Sequence, residues 1–165
     1  MVMIVLRRQV HKLTLHDAAL GRMSAPRQVE EWDLGAIRMH PRFGVEQGRK
    51  DNGDLKVRAV DDMSWAPRSS GQSRKRARVE SVNGHTAMPE RISHDHLDQL
   101  ACAMGWFVTV MGIVPGLFKA DVSAAFRRVP LMPSHRWAAC IAYAFDNRVW
   151  VAQHFACMFG ATASV

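Results

Sequence analysis

Apolar residues recur along this chain with two different periods, and the changes between them mark out its elements. Around Val10 to Leu20 they follow a mixed helical pattern that ends at Gly21, Ser24 and Pro26, residue types that interrupt helices. A shorter amphipathic piece is predicted from Gln28 to Met39. Between Pro41 and Pro67 the spacing changes to that of a hairpin. Asn52-Gly53 is a turn signal, and Leu55 to Val60 alternates apolar with basic residues as a half-exposed strand does. Helical spacing returns after Ser93, a good N-cap, with Asp95 in the first turn and Leu97, Leu100, Ala101 and Met104 on one stripe. Ser93 to Phe107 is therefore the clearest predicted helix. Further on, Trp137 to Ala144 reads as a buried strand, Asp146-Asn147 as a turn and Val149 to Phe155 as the returning strand. Paired strands beside separate helices predict an α+β fold with antiparallel strands packed on helices.

One apolar run tests that picture. The nineteen residues from Leu100 to Phe118 carry no charge, which is near the length that spans a bilayer. Gly105, Gly112, Pro115 and Gly116 interrupt it, so it is read as a soluble helix and its exit, with no membrane partner. The first residues, Met1 to Leu6, are too short for a signal-peptide core before Arg7 and Arg8. Of the 165 residues 48% are hydrophobic, enough for a packed core, and 22 Lys and Arg against 15 Asp and Glu leave a formal charge of +7. Such a surface attracts polyanions, nucleic acid above all. Three separated cysteines, Cys102, Cys140 and Cys157, form no Cys-x-x-Cys pair. They predict neither a zinc site nor a disulfide partner, and the expected location is intracellular, cytoplasmic or nuclear.

Candidate chemistry centres on Lys119 to Leu131, which is predicted to begin as a strand and end as a short helical turn. Alternation puts Leu117, Lys119 and Asp121 on one side and Phe118, Ala120 and Val122 on the other. Asp121 then stands at a strand's end. Small residues follow it and an aromatic, Phe126, lies five positions on, a suitable floor for a metal and a nucleotide. The run resembles the first catalytic motif of reverse transcriptases, Asp-x-x-x-Ala-Phe/Tyr-x-x-x-Pro, through Asp121, Ala125, Phe126 and Pro130. That resemblance implies that Asp121, helped by the Val122 carbonyl, binds Mg²⁺. Two such ions clamp the attacking 3′-oxygen and the leaving pyrophosphate, and they require hard oxygen ligands. It also gives Phe126 the role of a steric gate against a 2′-hydroxyl, which implies a DNA product.

Two further stretches are similar to the same family. Lys56-Val57-Arg58-Ala59-Val60-Asp61-Asp62 resembles its basic fingers strand, which implies that Arg58 contacts the triphosphate of the incoming nucleotide and that Asp62 is the structural acid at the strand's end. A guanidinium suits the first duty because its planar fork donates two hydrogen bonds to phosphate. Cys157 to Val165 is similar to the family's Leu-Pro-Phe-Gly-x-x-x-Ala/Ser-Pro motif, with Phe159 and Gly160 implied to lie against the nucleotide. Met158 and Val165 stand where the family has prolines. Val60-Asp61-Asp62 is set aside as the second carboxylate pair because it lies upstream of Asp121 and lacks the aromatic.

Basic residues Arg74, Lys75, Arg76 and Arg78 are candidates for gripping a nucleic-acid backbone, for a nuclear-import signal, or for a merely solvating loop. His11, His16 and Asp17 match no metal spacing and are read as solvated surface, and His94, Asp95 and His96 as a helix start. The resemblance covers 41–165, read as a partial fingers/palm domain of a right-hand polymerase; 1–40 is an N-terminal segment without assignable function. The implied partners are an RNA or DNA template-primer and a dNTP. No aspartate pair follows Asp121, so the polypeptide alone is expected to be inactive as a polymerase, as a fragment would be. The competing readings are a non-catalytic, basic nucleic-acid-binding remnant, a mispredicted gene fragment, and a membrane-associated protein built on Leu100 to Phe118.

Overall fold

The computed structural model describes residues 2–67, 81–87, 96–118, 122 and 125–158. They form an α+β arrangement, a five-stranded mixed sheet with helices packed against it. By their contacts the residues divide into a larger unit, 1–87 with 124–165, and a smaller one, 88–123.

The larger unit begins with helix α1, Val2–Ala19. It ends at Gly21, whose φ of +68° is one that glycine adopts without steric cost. Five strands follow: β1 (Arg27–Gln28), β2 (Met39–Arg49), β3 (Leu55–Asp61), β4 (Cys140–Phe145) and β5 (Arg148–Gln153). Their order across the sheet is β1-β5-β4-β2-β3. The predicted sheet was wholly antiparallel, but β2 runs parallel to β4, with Met39 opposite Cys140 and Pro41 opposite Ala142. A hairpin cannot make that pairing, because parallel neighbours need a long crossover; here nearly the whole chain between the two hairpins serves as one.

Both predicted hairpins form. In β2–β3 the turn closes through Gly53 at φ +83°, with the Asp54 amide donating to Asn52 Oδ1 at 3.1 Å. In β4–β5 Asp146 and Asn147 take φ of 52° and 54°, the two-residue turn whose twist matches antiparallel strands. β4 starts later than predicted, because Pro133–Ala138 is a 3-10 helix with proline in its first turn. The amphipathic piece predicted from Gln28 to Met39 is not one continuous element. β1 and a 3-10 turn, Val29–Glu31, occupy its start, and Asp33 Oδ1 then accepts the Gly35 amide at 3.0 Å in a local turn that competes with helix.

Val10 of α1, Met23, Ile141, Tyr143 and Ala152 make the main core. A second cluster joins Met63, Ala139 and Met158, flanked by Leu131 and by Val82 of the single helical turn α2, Val82–His85. Helix and sheet meet closely at Gly44, where an added Cβ would stand 3.0 Å from Val57 Cγ1, 3.2 Å from Val10 Cγ2 and 3.4 Å from the Leu6 carbonyl. Cys140 is a buried thiol whose pKa desolvation pushes up to about 11.

In the smaller unit, α3 spans Leu97–Thr109. It begins later than the predicted Ser93 start: His96 is the N-cap, and its amide donates to Gln99 Oε1 at 2.6 Å; Ser93 lies outside the described residues. Leu117 and Phe118, predicted to lead a strand toward Asp121, are in no regular element. Among the described residues no helix is long and apolar enough to cross a membrane.

Candidate functional site

Where α1 ends against β2 and β3, the sequence puts three arginines and two aspartates at positions the fold turns inward. Arg42 and Asp61 are paired across β2 and β3, and alternation points both toward α1. Their side chains are 0% and 1% exposed. Arg42 Nε donates to Asp61 Oδ1 at 2.7 Å and Nη2 to Oδ2 at 3.4 Å, the fork geometry that a guanidinium and a carboxylate share. Its remaining nitrogen donates to Thr14 Oγ1 at 3.0 Å and reaches Met23 Sδ at 3.7 Å.

Asp17 of α1 extends this cluster outward. Its Oδ2 accepts from Arg127 Nη1 at 3.0 Å and lies 3.7 Å from Arg42 Nη2, while its Oδ1 is 3.5 Å from Arg22 Nη1. Arg127 also approaches Asp61 Oδ2 at 4.0 Å through Nη2. On the other side of Asp61, His154 Nε2 stands 3.2 Å from Oδ2, though neither ring nitrogen has a well-aligned hydrogen-bond partner.

Protonation follows from this crowding. Burial would raise the Asp61 pKa, but Arg42 and His154 hold the carboxyl well below the usual carboxylate range. Burial lowers the His154 pKa and Arg42 and Arg127 lower it further, against the pull of Asp61. Desolvation lowers the Arg127 pKa too, against the pull of Asp17 and Asp61 and with the push of Arg42 and Arg22. The guanidinium nonetheless stays charged.

An open pocket of about 380 Å³ lies beside the cluster, lined by Leu13, His16 and Asp17 of α1, by Arg58 and its β3 neighbours, and by Arg127. Arg127 stands in the 3-10 turn Ala125–Arg128. That turn closes when the Val129 amide donates to the Phe126 carbonyl at 3.2 Å. It is then stitched to the chain beyond β5: the Leu131 amide donates to the Phe155 carbonyl and the Cys157 amide to the Val129 carbonyl, each at 2.8 Å. A larger, mostly apolar groove of about 530 Å³ is lined by Met39, Pro41, Ala142 and Ala144, with Trp65 at its side. Alternation puts these strand residues on the sheet face away from α1.

Of the candidates named from the sequence, Arg58 and the Phe126 turn are both described. Arg58 lines the pocket beside Arg127; Phe126 is half-buried, and Val122 is exposed. Asp121, Phe159, Gly160, Arg74, Lys75, Arg76 and Arg78 lie outside the described residues, and so does the expected Mg²⁺ site built on Asp121. The expected structural acid is corrected by one position. Asp61 is the buried carboxylate, whereas Asp62 Oδ1 only accepts the Ser64 amide at 3.1 Å in a local turn.

His11 and Asp17 are not solvated surface either. His11 Nδ1 hydrogen-bonds with the Tyr143 hydroxyl at 3.0 Å, and its ring stacks on Phe145 with centroids 4.1 Å apart; Asp17 is 14% exposed. What reasoning from sequence missed is Arg42, inside β2, and His154, in an isolated bridge to Met23 just past β5, since single polar residues in or beside strands give no local signal. No family model matches the chain, and no curated protein matches it.

Among the described residues there is no group of three or more His, Cys, Asp or Glu that could hold a metal ion. Asp17 and Asp61 come close to one another only through Arg42 and Arg127, which already neutralise them. They therefore brace the pocket and offer no free carboxylate to a cation.

Proposed function

We propose that the chain is the fingers-and-palm part of an RNA-directed DNA polymerase and that the pocket beside Arg58 and Arg127 receives the phosphates of a nucleotide. One observation carries the reading: two stretches that resemble separate motifs of the family, the basic strand and the Asp121–Pro130 run, each bring an arginine to the same open pocket. The Arg58 guanidinium suits phosphate there, because it stays charged and donates in a planar fork, while Arg127, paired with Asp17, forms the wall beside it. A formal charge of +7 supports the same polyanionic partners, a template-primer and a triphosphate.

In this reading Arg58 holds the triphosphate, and the half-buried ring of Phe126 selects the sugar. Phe159 and Gly160 border the base, and the basic run from Arg74 to Arg78 meets the nucleic-acid backbone. Asp121 with the Val122 carbonyl holds Mg²⁺, which when bound neutralises the charge that develops on the phosphate oxygens.

The test is calorimetric binding of dATP in the presence of Mg²⁺. Arg58→Ala is expected to weaken binding about tenfold, the weight of one charge-assisted contact, and Asp121→Ala to remove the dependence on Mg²⁺. A wild-type chain that binds no dATP, or an Arg58→Ala chain that binds it unchanged, overturns the reading. Primer extension that vanishes in Asp121→Ala would overturn the expectation of an inactive polypeptide.

A further inference from the structure

We infer that the outward face of α1 binds the phosphodiester backbone of nucleic acid, along a row that starts at Arg8, continues at Lys12 and reaches the pocket at His16. The inference goes beyond the function proposed above and does not depend on what the pocket holds.

Val10 and Thr14 define the inward side of the helix, where Val10 joins the main core and Thr14 accepts from Arg42 of β2. Arg8, Lys12 and His16 lie on the other side, and all three are exposed. Steps of four residues keep them on one stripe, which covers about 12 Å of helix axis. His16 also lines the pocket beside Arg127, so the stripe leads from the second turn of α1 to that opening.

Charge of a single sign sets this face apart. The only acid in α1 is Asp17, and it is turned toward Arg22, Arg42 and Arg127. Among the described residues the side chains of Arg8 and Lys12 have no ion pair and no hydrogen bond. Two like charges four positions apart repel each other and weaken a helix, so the fold gains nothing from having them there. A face that only kept the protein in solution would be served as well by interspersed charges of both signs.

The pattern fits nucleic acid better than a membrane surface. An interfacial helix buries a continuous apolar face in lipid. Here the exposed Ile4 and Leu15 are separated along the stripe by Arg8 and Lys12, and the apolar side of the helix is already packed on the sheet. A phosphate backbone needs only cations at intervals along a line, and contacts of that kind carry no sequence information.

Filter binding of a mixed-sequence DNA duplex to the full chain, over a series of salt concentrations, tests this. Arg8→Gln combined with Lys12→Gln is expected to reduce the magnitude of the slope of log affinity against log salt by about 1.8, the weight of two phosphate contacts. The thermal midpoint should stay where it is, because both sites are exposed and Gln forms helix about as well as Arg and Lys. Arg8→Lys with Lys12→Arg keeps the charges and is expected to keep the slope. Lys50→Gln with Arg148→Gln removes the same charge from exposed positions at the two hairpin ends and is expected to change the slope far less. A wild-type chain that binds no duplex, a folded Arg8→Gln, Lys12→Gln chain with the wild-type slope, or a hairpin variant that loses as much slope overturns the inference. Vesicles containing phosphatidylserine that compete the duplex away and lose their hold in the Arg8→Gln, Lys12→Gln chain also overturn it, in favour of a lipid surface. Binding of dATP is read separately: a chain that binds no dATP but shows the expected loss of slope refutes the pocket reading and supports this one.

Discussion

Arg42 is the residue on which the larger unit turns, because a guanidinium with no exposed surface is tolerable only while its partners are complete. Asp61→Ala leaves that charge buried and half-unpaired, and urea unfolding is expected to show a loss of about 3 to 5 kcal/mol. Replacing Arg42 and Asp61 together with apolar residues of similar volume should cost much less, so the two results in a double-mutant cycle separate the pair's net worth from the penalty of orphaning it. His154 adds a dependence on pH. Its folded pKa lies below its ordinary value of 6.5 because burial and the nearby guanidiniums disfavour the charged ring. The unfolded chain therefore takes up a proton first as pH falls, and stability present above about 6.5 is lost progressively below it. Chemical denaturation at pH 7.5 and 5.5 should show that fall, made shallower in His154→Gln; His40 and His11, lowered for the same reason of burial, keep it from vanishing. An equal slope in the variant would show that His154 does not carry it.

At the scale of elements, the fit of α1 on β2 depends on the absence of a side chain at Gly44. A methyl group there stands too close to Val57 Cγ1 and Val10 Cγ2, branched side chains packed between helix and sheet, with the Leu6 carbonyl in contact behind them. Gly44→Ala is expected to cost about 1 to 3 kcal/mol by urea melt. An unchanged midpoint would mean that the helix shifts freely on the sheet. This contact also shows why the sequence was legible in some places and not in others. Both hairpins could be read because their signals are local: Asn52-Gly53 and Asp146-Asn147 are turn dipeptides beside alternating residues, and the backbone uses them as such. The stretch from Gln28 to Met39 has helical spacing but little to hold it helical, and Arg27 lies over the Trp32 ring at 4.3 Å in an irregular path instead. The parallel β2–β4 pairing, and the cluster gathered from Asp17, Arg42, Asp61, Arg127 and His154, join residues far apart in sequence. No periodicity within one segment reports such a meeting. Arg58 and Phe126 were named only through their resemblance to family motifs, and Asp62 was named in place of Asp61 because a strand end was read without its partner strand.

Across the whole molecule, the excess of 22 basic over 15 acidic residues is distributed unevenly between structural and available charge. Arg22, Arg42 and Arg127 are engaged with Asp17 and Asp61 and serve the fold. In the reading proposed above, a template-primer is therefore met by other basic residues, and the densest sequence cluster is Arg74, Lys75, Arg76 and Arg78. Each phosphate neutralised releases counterions and contributes about −0.9 to the slope of log affinity against log salt on duplex, and about −0.7 on single strands. Changing those four residues to Gln should then reduce the magnitude of the slope by up to about 3 to 4 on a duplex template-primer. Arg127→Gln, whose charge is already engaged by carboxylates, should leave it nearly unchanged. Filter binding from low to moderate salt measures both. If the quadruple variant keeps the wild-type slope, the nucleic acid is held elsewhere on the protein. If Arg127→Gln lowers it instead, the buried cluster is an electrostatic contact with the ligand as well as a brace, and the division drawn here between structural and available arginines fails.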